Sequence, residues 1–361
     1  MGCYFTACFD FVIGILLTGA DRFSCAESDH SYLKYRGVFF IMPAMNILVT
    51  GGAGFIGSHA CELLLARGHS VVALDNFDPY YSPARKRSNL TAALAHTRFT
   101  LVEGDFGDRN LIAGLLSRER FDSVLHLGAQ AGVRPSIADP LKYQRVNVAG
   151  TITMLEAMRE FGPKKIVAGS TSSVYGNVTP VPFCEDAPCL QPLSPYAATK
   201  RAMEIFLGTY CALHGFQATV LRFFTVYGPR QRPDMAIAPF SKKILSGETI
   251  TLFGDGSSSR DYTYVSDIVE GAASAMEKMP DGFGIYNLGG EHPVTLNALI
   301  AALETAIGKK ASIQRAPMQQ GDVDRTFADI SKARRILGYE PKVALSEGLA
   351  RTVEWVKGNS E

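Results

Sequence analysis

The chain has 361 residues, of which 47% are hydrophobic and 20% charged, a composition typical of a globular protein with one large or two medium-sized domains. Its 36 basic and 35 acidic side chains leave a formal net charge of +1 and form no basic run, which argues against a nucleic-acid partner. The seven cysteines include no Cys-x-x-Cys pair, so neither a disulfide framework nor a metal site is expected, and a cytoplasmic location is predicted.

The first 44 residues show no clear hydrophobic period. The apolar run at 11–20 has the length of a signal-peptide core, but no Lys or Arg precedes it and it is too short to span a bilayer. We expect the functional fold to begin near Met42 or Met45, with residues 1–44 as an extension outside it. A weak targeting segment or membrane anchor is the alternative for this stretch, and no other membrane association is expected.

Strands and helices are predicted to alternate from residue 46 onward. Short apolar, β-branched runs indicate strands buried on both faces, and the stretches between them have helical periodicity. This alternation predicts an α/β fold, a doubly wound parallel sheet of the Rossmann type. The predicted strands are 46–50, 70–75, 98–105, 123–129, 165–170 and 218–224, and the predicted helices are about 55–67, 107–118, 140–161 and 195–214.

The regular alternation breaks into shorter pieces after residue 235. The pieces are a helix near 236–246, a strand at 249–253, a Gly/Ser loop at 254–260, a return to the first domain at 261–290 and helices that include 295–307 and 346–357. We therefore predict a Rossmann domain of residues 45–225 with 261–290. A smaller, discontinuous C-terminal substrate domain would comprise residues 226–260 and 291–361.

A glycine turn joins the first predicted strand to the first predicted helix. Gly51, Gly54 and Gly57 have the spacing that permits a tight turn, close approach of a pyrophosphate and close helix–strand packing. Asp75 ends the second strand, where a carboxylate can hold both adenosine ribose hydroxyls and repel a 2′-phosphate. The pattern predicts bound NAD rather than NADP, and a tight turn without a ligand is the alternative.

Tyr196 and Lys200 lie four residues apart on a helix that begins with Ser194 as its N-cap and Pro195 at its first position. Residues at this spacing share a helix face. We expect the ammonium, a nearby nicotinamide cation and the helix N-terminus to favour the Tyr196 phenolate, which could accept a hydroxyl proton.

Three hydroxyl side chains, Thr171, Ser172 and Ser173, follow the predicted strand at 165–170. The carboxyl edge of an open parallel sheet is where ligands bind, so these hydroxyls are candidates for contact with a substrate oxygen. A polar strand end that only caps a turn is the alternative.

Several blocks together resemble the extended short-chain dehydrogenase/reductases and, within that family, the UDP-glucuronate 4-epimerases. The resemblance extends over residues 45–357. The blocks are DNFDPYY (75–81), AQAGVRPS (129–136), SPYAATKRA (194–202), LRFFTVYGPRQRPDMAI (221–237), FGDGSSSRDYTYVSDIV (253–269) and PMQQGDVDRTFADISKA (317–333).

The resemblance implies roles for individual residues. The implied catalytic residues are Tyr196, Lys200, Thr171 and Ser172. Those that would contact NAD are Gly51, Gly54, Phe55, Ile56, Gly57, Asp75, Asn76, Asp105, Phe106, Leu127, Ala129, Gln130, Asn147, Tyr196 and Lys200. Those that would contact the UDP-sugar are Thr171, Ser172, Ser173, Thr225, Arg232, Arg260 and Asp322.

The activity implied by this resemblance is the NAD-dependent interconversion of UDP-glucuronate and UDP-galacturonate, by transient oxidation at C4, in a homodimer. Thr225 replaces the Asn of galactose-type epimerases, and Ser173 replaces the Glu of decarboxylating relatives. A neutral-sugar 4-epimerase or a decarboxylating enzyme is the alternative, and a non-catalytic NAD-binding sensor is a more remote one. Arg232 is the implied carboxylate ligand, although a solvated loop charge is its other interpretation.

Overall fold

The computed structural model describes residues 43–317 and 323–359, so the expectations for residues 1–42 and for Asp322 lie outside the described part of the chain. The strands are β1 (Asn46–Thr50), β2 (Ser70–Asp75), β3 (Phe99–Glu103), β4 (Ser123–His126), β5 (Lys165–Thr171), β6 (Gln217–Phe223), β7 (Thr225–Tyr227), β8 (Thr249–Phe253), β9 (Ser259–Tyr264), β10 (Phe283–Leu288), β11 (Pro293–Thr295) and β12 (Ser312–Ala316).

The helices flank these strands in chain order. They are α1 (Phe55–Ala66), α2 (Pro83–Asn89), α3 (Thr91–Leu94), α4 (Arg109–Arg118), α5 (Val133–Ala138), α6 (Pro140–Tyr143), α7 (Thr151–Phe161), α8 (Pro195–His214), α9 (Ile237–Ser246), α10 (Val265–Lys278), α11 (Leu296–Ile307), α12 (Ser331–Leu337) and α13 (Leu345–Gly358). A π-helical stretch, Gln144–Gly150, joins α6 to α7, and a 3₁₀ turn, Ser172–Tyr175, follows β5. None of the helices in the described ranges is both long and apolar enough to cross a bilayer.

The largest sheet within the described residues has seven strands, all parallel, in the order β10-β6-β5-β4-β1-β2-β3. The strand order reverses at β1, which pairs with β2 on one side and β4 on the other. In open parallel sheets a crevice forms at such a reversal, outside the carboxyl ends of the strands. The predicted doubly wound parallel sheet is therefore confirmed.

Both faces of this sheet are buried, which explains the uninterrupted apolar runs of its strands. Successive residues of β1 point to opposite faces: Leu48 belongs to a cluster with Ile112 and Met158 of α4 and α7. Ile47 belongs to the opposite cluster, which includes Leu64 of α1 and residues of α10. The five side chains named here are at most 1% exposed, so the strands that end at the carboxyl edge are packed in a rigid core.

The rest of the chain forms two smaller sheets beside the carboxyl edge, β11-β9-β7 and β12-β8. Helices α9, α11 and α13 pack on one another next to them. The chain returns to the large sheet through α10, which begins at Val265, and β10. Residues 261–264 belong to β9, which pairs with β7 and β11, so the predicted boundary at residue 261 falls inside the smaller sheet.

Candidate active site

Two cavities lie at the carboxyl edge of the large sheet and meet in its centre. The first is a groove along the β1–α1 turn and the ends of β2 and β4. The second is a cleft of about 690 Å³ between the large sheet and the smaller sheets. Tyr196, Arg232 and Ser170 line both cavities. A ligand in the groove and a ligand in the cleft would therefore meet beside these three side chains.

The glycine turn forms the floor of the groove. Gly51 has φ +70°, and a Cβ on Gly57 would lie 2.1 Å from the Gly51 carbonyl oxygen, so neither position tolerates a side chain without distortion. Helix α1 begins after Gly54, where no side chain accepts hydrogen bonds from the first-turn amides. These amides and the helix dipole suit a pyrophosphate. The turn thus fits the phosphates of a dinucleotide.

The end of β2 forms the far side of the groove. Asp75 is 7% exposed and its carboxylate accepts hydrogen bonds from the backbone amides of Ala53 at 3.1 Å and Phe77 at 2.8 Å. These bonds fix the carboxylate at the groove wall, where an adenosine ribose would lie. Lys86 Nζ is 4.0 Å from the Asp75 carboxylate, and burial lowers the pKa of this ammonium.

Most of the residues predicted to contact NAD line this groove. They are Gly51, Gly54, Phe55, Ile56, Gly57, Asp75, Asn76, Phe106, Leu127, Ala129, Gln130, Tyr196 and Lys200. Asp105 does not line the groove; it is exposed and accepts a hydrogen bond from Asn76 Nδ2 at 3.0 Å.

Asn147 has a different placement from the predicted contact on the nicotinamide side. It is 1% exposed and lies in the π-helical stretch. Its amide bonds to the backbone of Gln130, accepting from N at 2.8 Å and donating to O at 2.9 Å, and it donates to Thr199 Oγ1 at 3.1 Å. Asn147 thus ties the groove loop after β4 to α8 instead of lining the groove.

Tyr196 lies in the first turn of α8, where the Ser194 hydroxyl accepts from the Ala197 amide at 3.2 Å and caps the helix as predicted. Burial raises the pKa of Tyr196, while the Arg232 charge and a hydrogen bond with Thr171 act in the opposite direction. Among the chain's own groups, desolvation outweighs these two contributions, and a phenolate favoured by a nearby nicotinamide cation stays a prediction.

Lys200 is one helical turn further along and is 4% exposed. Its ammonium donates to the carbonyl oxygen of Gly169, in β5, at 2.8 Å. Burial lowers the pKa of Lys200 to about 8, although Glu204 counteracts part of this shift. The ammonium is thus anchored to the sheet and borders the groove beside Tyr196.

The strand end after β5 brings its hydroxyls into the cleft. Thr171 Oγ1 donates to Ser173 Oγ at 3.1 Å and accepts from the Ser173 amide at 3.2 Å. Thr171, Ser172 and Ser173 all line the cleft, together with Tyr196. Thr171 therefore caps the turn, and contact of the three hydroxyls with a substrate oxygen stays a prediction.

The substrate-side residues Thr225, Arg232 and Arg260 also line the cleft. Arg232 is not a solvated loop charge, since its guanidinium makes two hydrogen bonds to Asp234, from Nε at 3.0 Å and from Nη2 at 2.9 Å. Arg260 Nη1 donates to the Ser259 carbonyl oxygen at 3.0 Å at the border of the smaller sheet. The cleft is therefore lined by two arginines, Arg232 and Arg260.

Sequence reasoning missed several groups that border these cavities. Lys86, Tyr80 and Tyr81 line the groove, and Asp234 lines the cleft. Helix α2, which carries Lys86, was not predicted, although Ser82 followed by Pro83 has the same N-cap and first-position signature as Ser194 and Pro195. That signature could have revealed the helix.

A parallel sheet with a glycine turn at its reversal point and a Tyr-x-x-x-Lys pair at the same edge defines the short-chain dehydrogenase/reductase class of enzymes. The family model described as GDP-mannose 4,6 dehydratase matches residues 48–352. The UDP-glucuronate 4-epimerase of Thermodesulfobacterium geofontis is 42% identical over 315 residues, 87% of this chain and 97% of that protein.

Two crystal structures of nucleotide-sugar 4-epimerases are also similar to this chain. The UDP-glucuronic acid 4-epimerase from Bacillus cereus, in complex with UDP-glucuronic acid and NAD, has a TM-score of 0.83 and 37% identity over 87% of this chain and 99% of that one. The UDP-glucose 4-epimerase from Thermotoga maritima, with UDP-glucose, has a TM-score of 0.81 and 36% identity over 88% and 100%. The chain belongs to the GDP-mannose 4,6 dehydratase family of extended short-chain dehydrogenase/reductases, and its resemblance to the UDP-glucuronate 4-epimerases is confirmed.

Proposed function

We propose that the protein is an NAD-dependent UDP-glucuronate 4-epimerase. The observation that carries this proposal is the junction of the two cavities: Tyr196 borders both the dinucleotide groove and the cleft that contains Thr225 and Arg232. One hydroxyl is thereby available to a coenzyme and to a sugar at the same point. The proposal keeps the roles predicted for the NAD, UDP-sugar and catalytic residues, except that Asn147 and Asp105 act through the groove residues Gln130 and Asn76.

The groove residues would hold NAD, which would supply a hydride acceptor and donor for C4 of the sugar, so that the configuration could invert with no net redox change. Tyr196 takes the proton of the C4 hydroxyl as the 4-keto sugar forms and gives it back when the hydroxyl is restored. Thr171 and Ser172 bind the same oxygen, and Lys200 supplies positive charge beside the phenol. The Rossmann domain would thus hold the coenzyme, and the smaller domain the UDP group at Arg260.

Thr225 and Arg232 favour a uronate over a neutral sugar. A guanidinium binds a carboxylate through charge-assisted hydrogen bonds, and it also restrains the carboxylate of a 4-keto acid, which otherwise loses CO2 readily. Neutral-sugar epimerisation is the second candidate function, because the Thermotoga maritima relative was crystallised with UDP-glucose.

Incubation of the purified protein with UDP-glucuronate, followed by NMR identification of the product, tests the proposal. UDP-galacturonate is the expected product, and UDP-xylose or its 4-keto form would instead indicate the decarboxylating alternative. Arg232→Ala is expected to weaken use of UDP-glucuronate or to increase release of UDP-pentose. Unchanged kinetics with a clean product would refute the role given to Arg232.

We further propose a cytoplasmic homodimer. Large apolar side chains on the outer faces of α7 and α8 support a second copy as the partner: Phe161, Ile205 and Leu213 are 50%, 55% and 70% exposed. The cysteines in the described residues, at positions 61, 184, 189 and 211, are free thiols, which suits a reducing compartment. Sedimentation equilibrium should give twice the mass of the chain, and a monomer at micromolar concentration would contradict the dimer.

A further inference from the structure

Asp234 occupies one edge of the Arg232 guanidinium, and Arg232 lines both cavities. The Asp234 carboxylate accepts from Nε and Nη2 of Arg232, and Tyr80 donates its hydroxyl to Oδ2 of Asp234 at 3.1 Å. Burial opposes ionisation of Asp234, but the hydrogen bonds and charge of Arg232 outweigh it and hold the pKa of the carboxyl below its ordinary value. The two side chains are therefore an ion pair without net charge, and Nη1 remains on the side away from Asp234.

The backbone that carries this pair is fixed independently of it. Arg230 donates to Glu62 of α1 at 2.7 Å, and Arg85 of α2 donates to the Gln231 carbonyl oxygen at 2.8 Å. His59 of α1 lies 3.0 Å from the Pro229 carbonyl oxygen. The loop is thus attached to α1 and α2 by contacts that do not involve Asp234, whereas Asp234 contacts the Arg232 guanidinium directly.

A second carboxylate at Arg232 would share the guanidinium with Asp234. Like charges in a partly buried site repel, so a sugar carboxylate bound there is held less tightly than by an unpaired arginine. Inversion at C4 requires the 4-keto sugar to turn and present its other face, so contacts to the carboxylate must break and form again in each turnover. Tight binding of the first orientation would slow that turn, because binding that is stronger before the barrier than at it lowers kcat.

We propose that Asp234 is a positioning residue that competes with the substrate carboxylate for Arg232, so that the 4-keto sugar can be released and turned between the two hydride transfers. This inference rests on the proposed epimerase function. Asp234 acts through Arg232 and needs no contact with the substrate. Asp234 thereby weakens the binding of the sugar carboxylate to Arg232 and raises the rate at which the 4-keto sugar turns.

Steady-state kinetics of Asp234→Asn with UDP-glucuronate test the inference. The freed guanidinium gains a charge-assisted hydrogen bond to the substrate, so KM should fall about tenfold and kcat should fall about tenfold. The fraction of reduced coenzyme during turnover should rise, because the 4-keto sugar persists. Asp234→Glu, which retains the charge, should restore both constants toward the wild-type values.

Glu62→Gln is the matched control, since it removes the acidic partner of another arginine in the same loop. If either substitution only loosens the loop that carries Arg230 and Arg232, KM should rise. A KM that rises in Asp234→Asn as it does in Glu62→Gln would therefore overturn the inference. A lower KM with unchanged kcat would also overturn it, because Asp234 would then oppose binding without assisting the turn. Wild-type protein that fails to convert UDP-glucuronate would instead refute the proposed function itself.

Discussion

Two features of Tyr196, its access to both cavities and its burial, determine how it can transfer a proton. It borders both cavities, and it is desolvated, which raises the pKa of the phenol above its ordinary value. The chain offsets this only through Arg232 and Thr171. At the scale of single residues, burial therefore favours the neutral phenol of Tyr196, which can donate a proton. The phenol becomes a proton acceptor only when further positive charge lies beside it.

Replacement of Tyr196 by Phe removes the group that takes the C4 hydroxyl proton. We expect turnover of UDP-glucuronate to fall roughly 10²–10⁴-fold with little change in substrate binding, the range typical of a lost general acid–base. Tyr210→Phe is the control, because its hydroxyl on the same helix donates to Glu156, away from both cavities. Comparable turnover in Tyr196→Phe and wild type would exclude the phenol from the reaction.

Local patterns were sufficient to predict many of the site residues, and tertiary contacts account for the rest. The glycine turn and the Tyr-x-x-x-Lys pair are read from short spacings that fix their geometry. Asp234 and Lys86 become site residues only because the loop after β7 and helix α2 fold against the groove, which no local period indicates. Asn147 was expected in the groove, but the π-helical stretch turns its amide toward Gln130 and Thr199.

At the scale of elements, a buried hydrogen-bond chain connects β1, β4 and the start of α7. His126 is 1% exposed and lies 2.7 Å from Thr50 Oγ1 through Nδ1 and 3.1 Å from Thr151 Oγ1 through Nε2. The Gly128 amide donates to Thr50 Oγ1, and Thr151 Oγ1 donates to the Asn147 carbonyl oxygen. Because the Thr151 hydroxyl already donates to Asn147, it accepts from His126, which places the imidazole proton on Nε2 and makes Nδ1 an acceptor. A neutral imidazole therefore satisfies every hydrogen bond in this series.

Burial lowers the pKa of His126 to about 3, so its neutral form contributes stability above pH 6.5 that is lost as the pH falls toward 3. The unfolded chain binds the proton first, and the expected loss is about 1.4 kcal/mol of unfolding free energy per pH unit below about 6. Urea unfolding of the wild type and of His126→Asn between pH 7 and 4 measures this loss of unfolding free energy. The variant should show a shallower decline, and identical slopes would rule out this contribution.

The β1–α1 turn is the element on which coenzyme binding depends most directly. In Gly57→Ala the new methyl group meets the Gly51 carbonyl, so we expect destabilisation of about 2 kcal/mol and loss of co-purified NAD. Gly114→Ala, in α4 with only the end of Arg118 near its Cβ, should instead be neutral or stabilising by about 0.5–1 kcal/mol. Thermal melts and coenzyme content of both variants test this, and a Gly57→Ala protein with full NAD content would disprove it.

At the scale of the whole molecule, a buried ion pair lies next to Ser170, which lines both cavities. Glu204 of α8 accepts from Nε and Nη2 of Arg222 in β6, at 3.0 and 2.8 Å, and from the Ser170 hydroxyl at 2.6 Å. Both charges are at most 1% exposed. Because an unpaired buried charge is costly, the pair fixes α8, and with it Tyr196 and Lys200, against the ends of the central strands.

The sequence predicted this architecture well where strands are buried on both faces, because their apolar runs are continuous. It located the large sheet and α8 closely, since Ser194 and Pro195 mark the start of that helix. The predicted return to the first domain at residue 261 begins within β9, whose sequence SRDYTY does not show which sheet it joins. Only its pairing with β7 and β11 assigns it to the smaller sheet.

The central claim is that a retained NAD and Tyr196 act on one sugar carbon in a single closed site. The most direct test supplies UDP-glucuronate deuterated at C4 to purified protein without added NAD, and locates the deuterium in the product by NMR. We predict UDP-galacturonate that keeps the deuterium at C4, because the hydride leaves and returns within the site. Epimerised product without deuterium at C4, or no conversion by protein that carries NAD, would contradict this account.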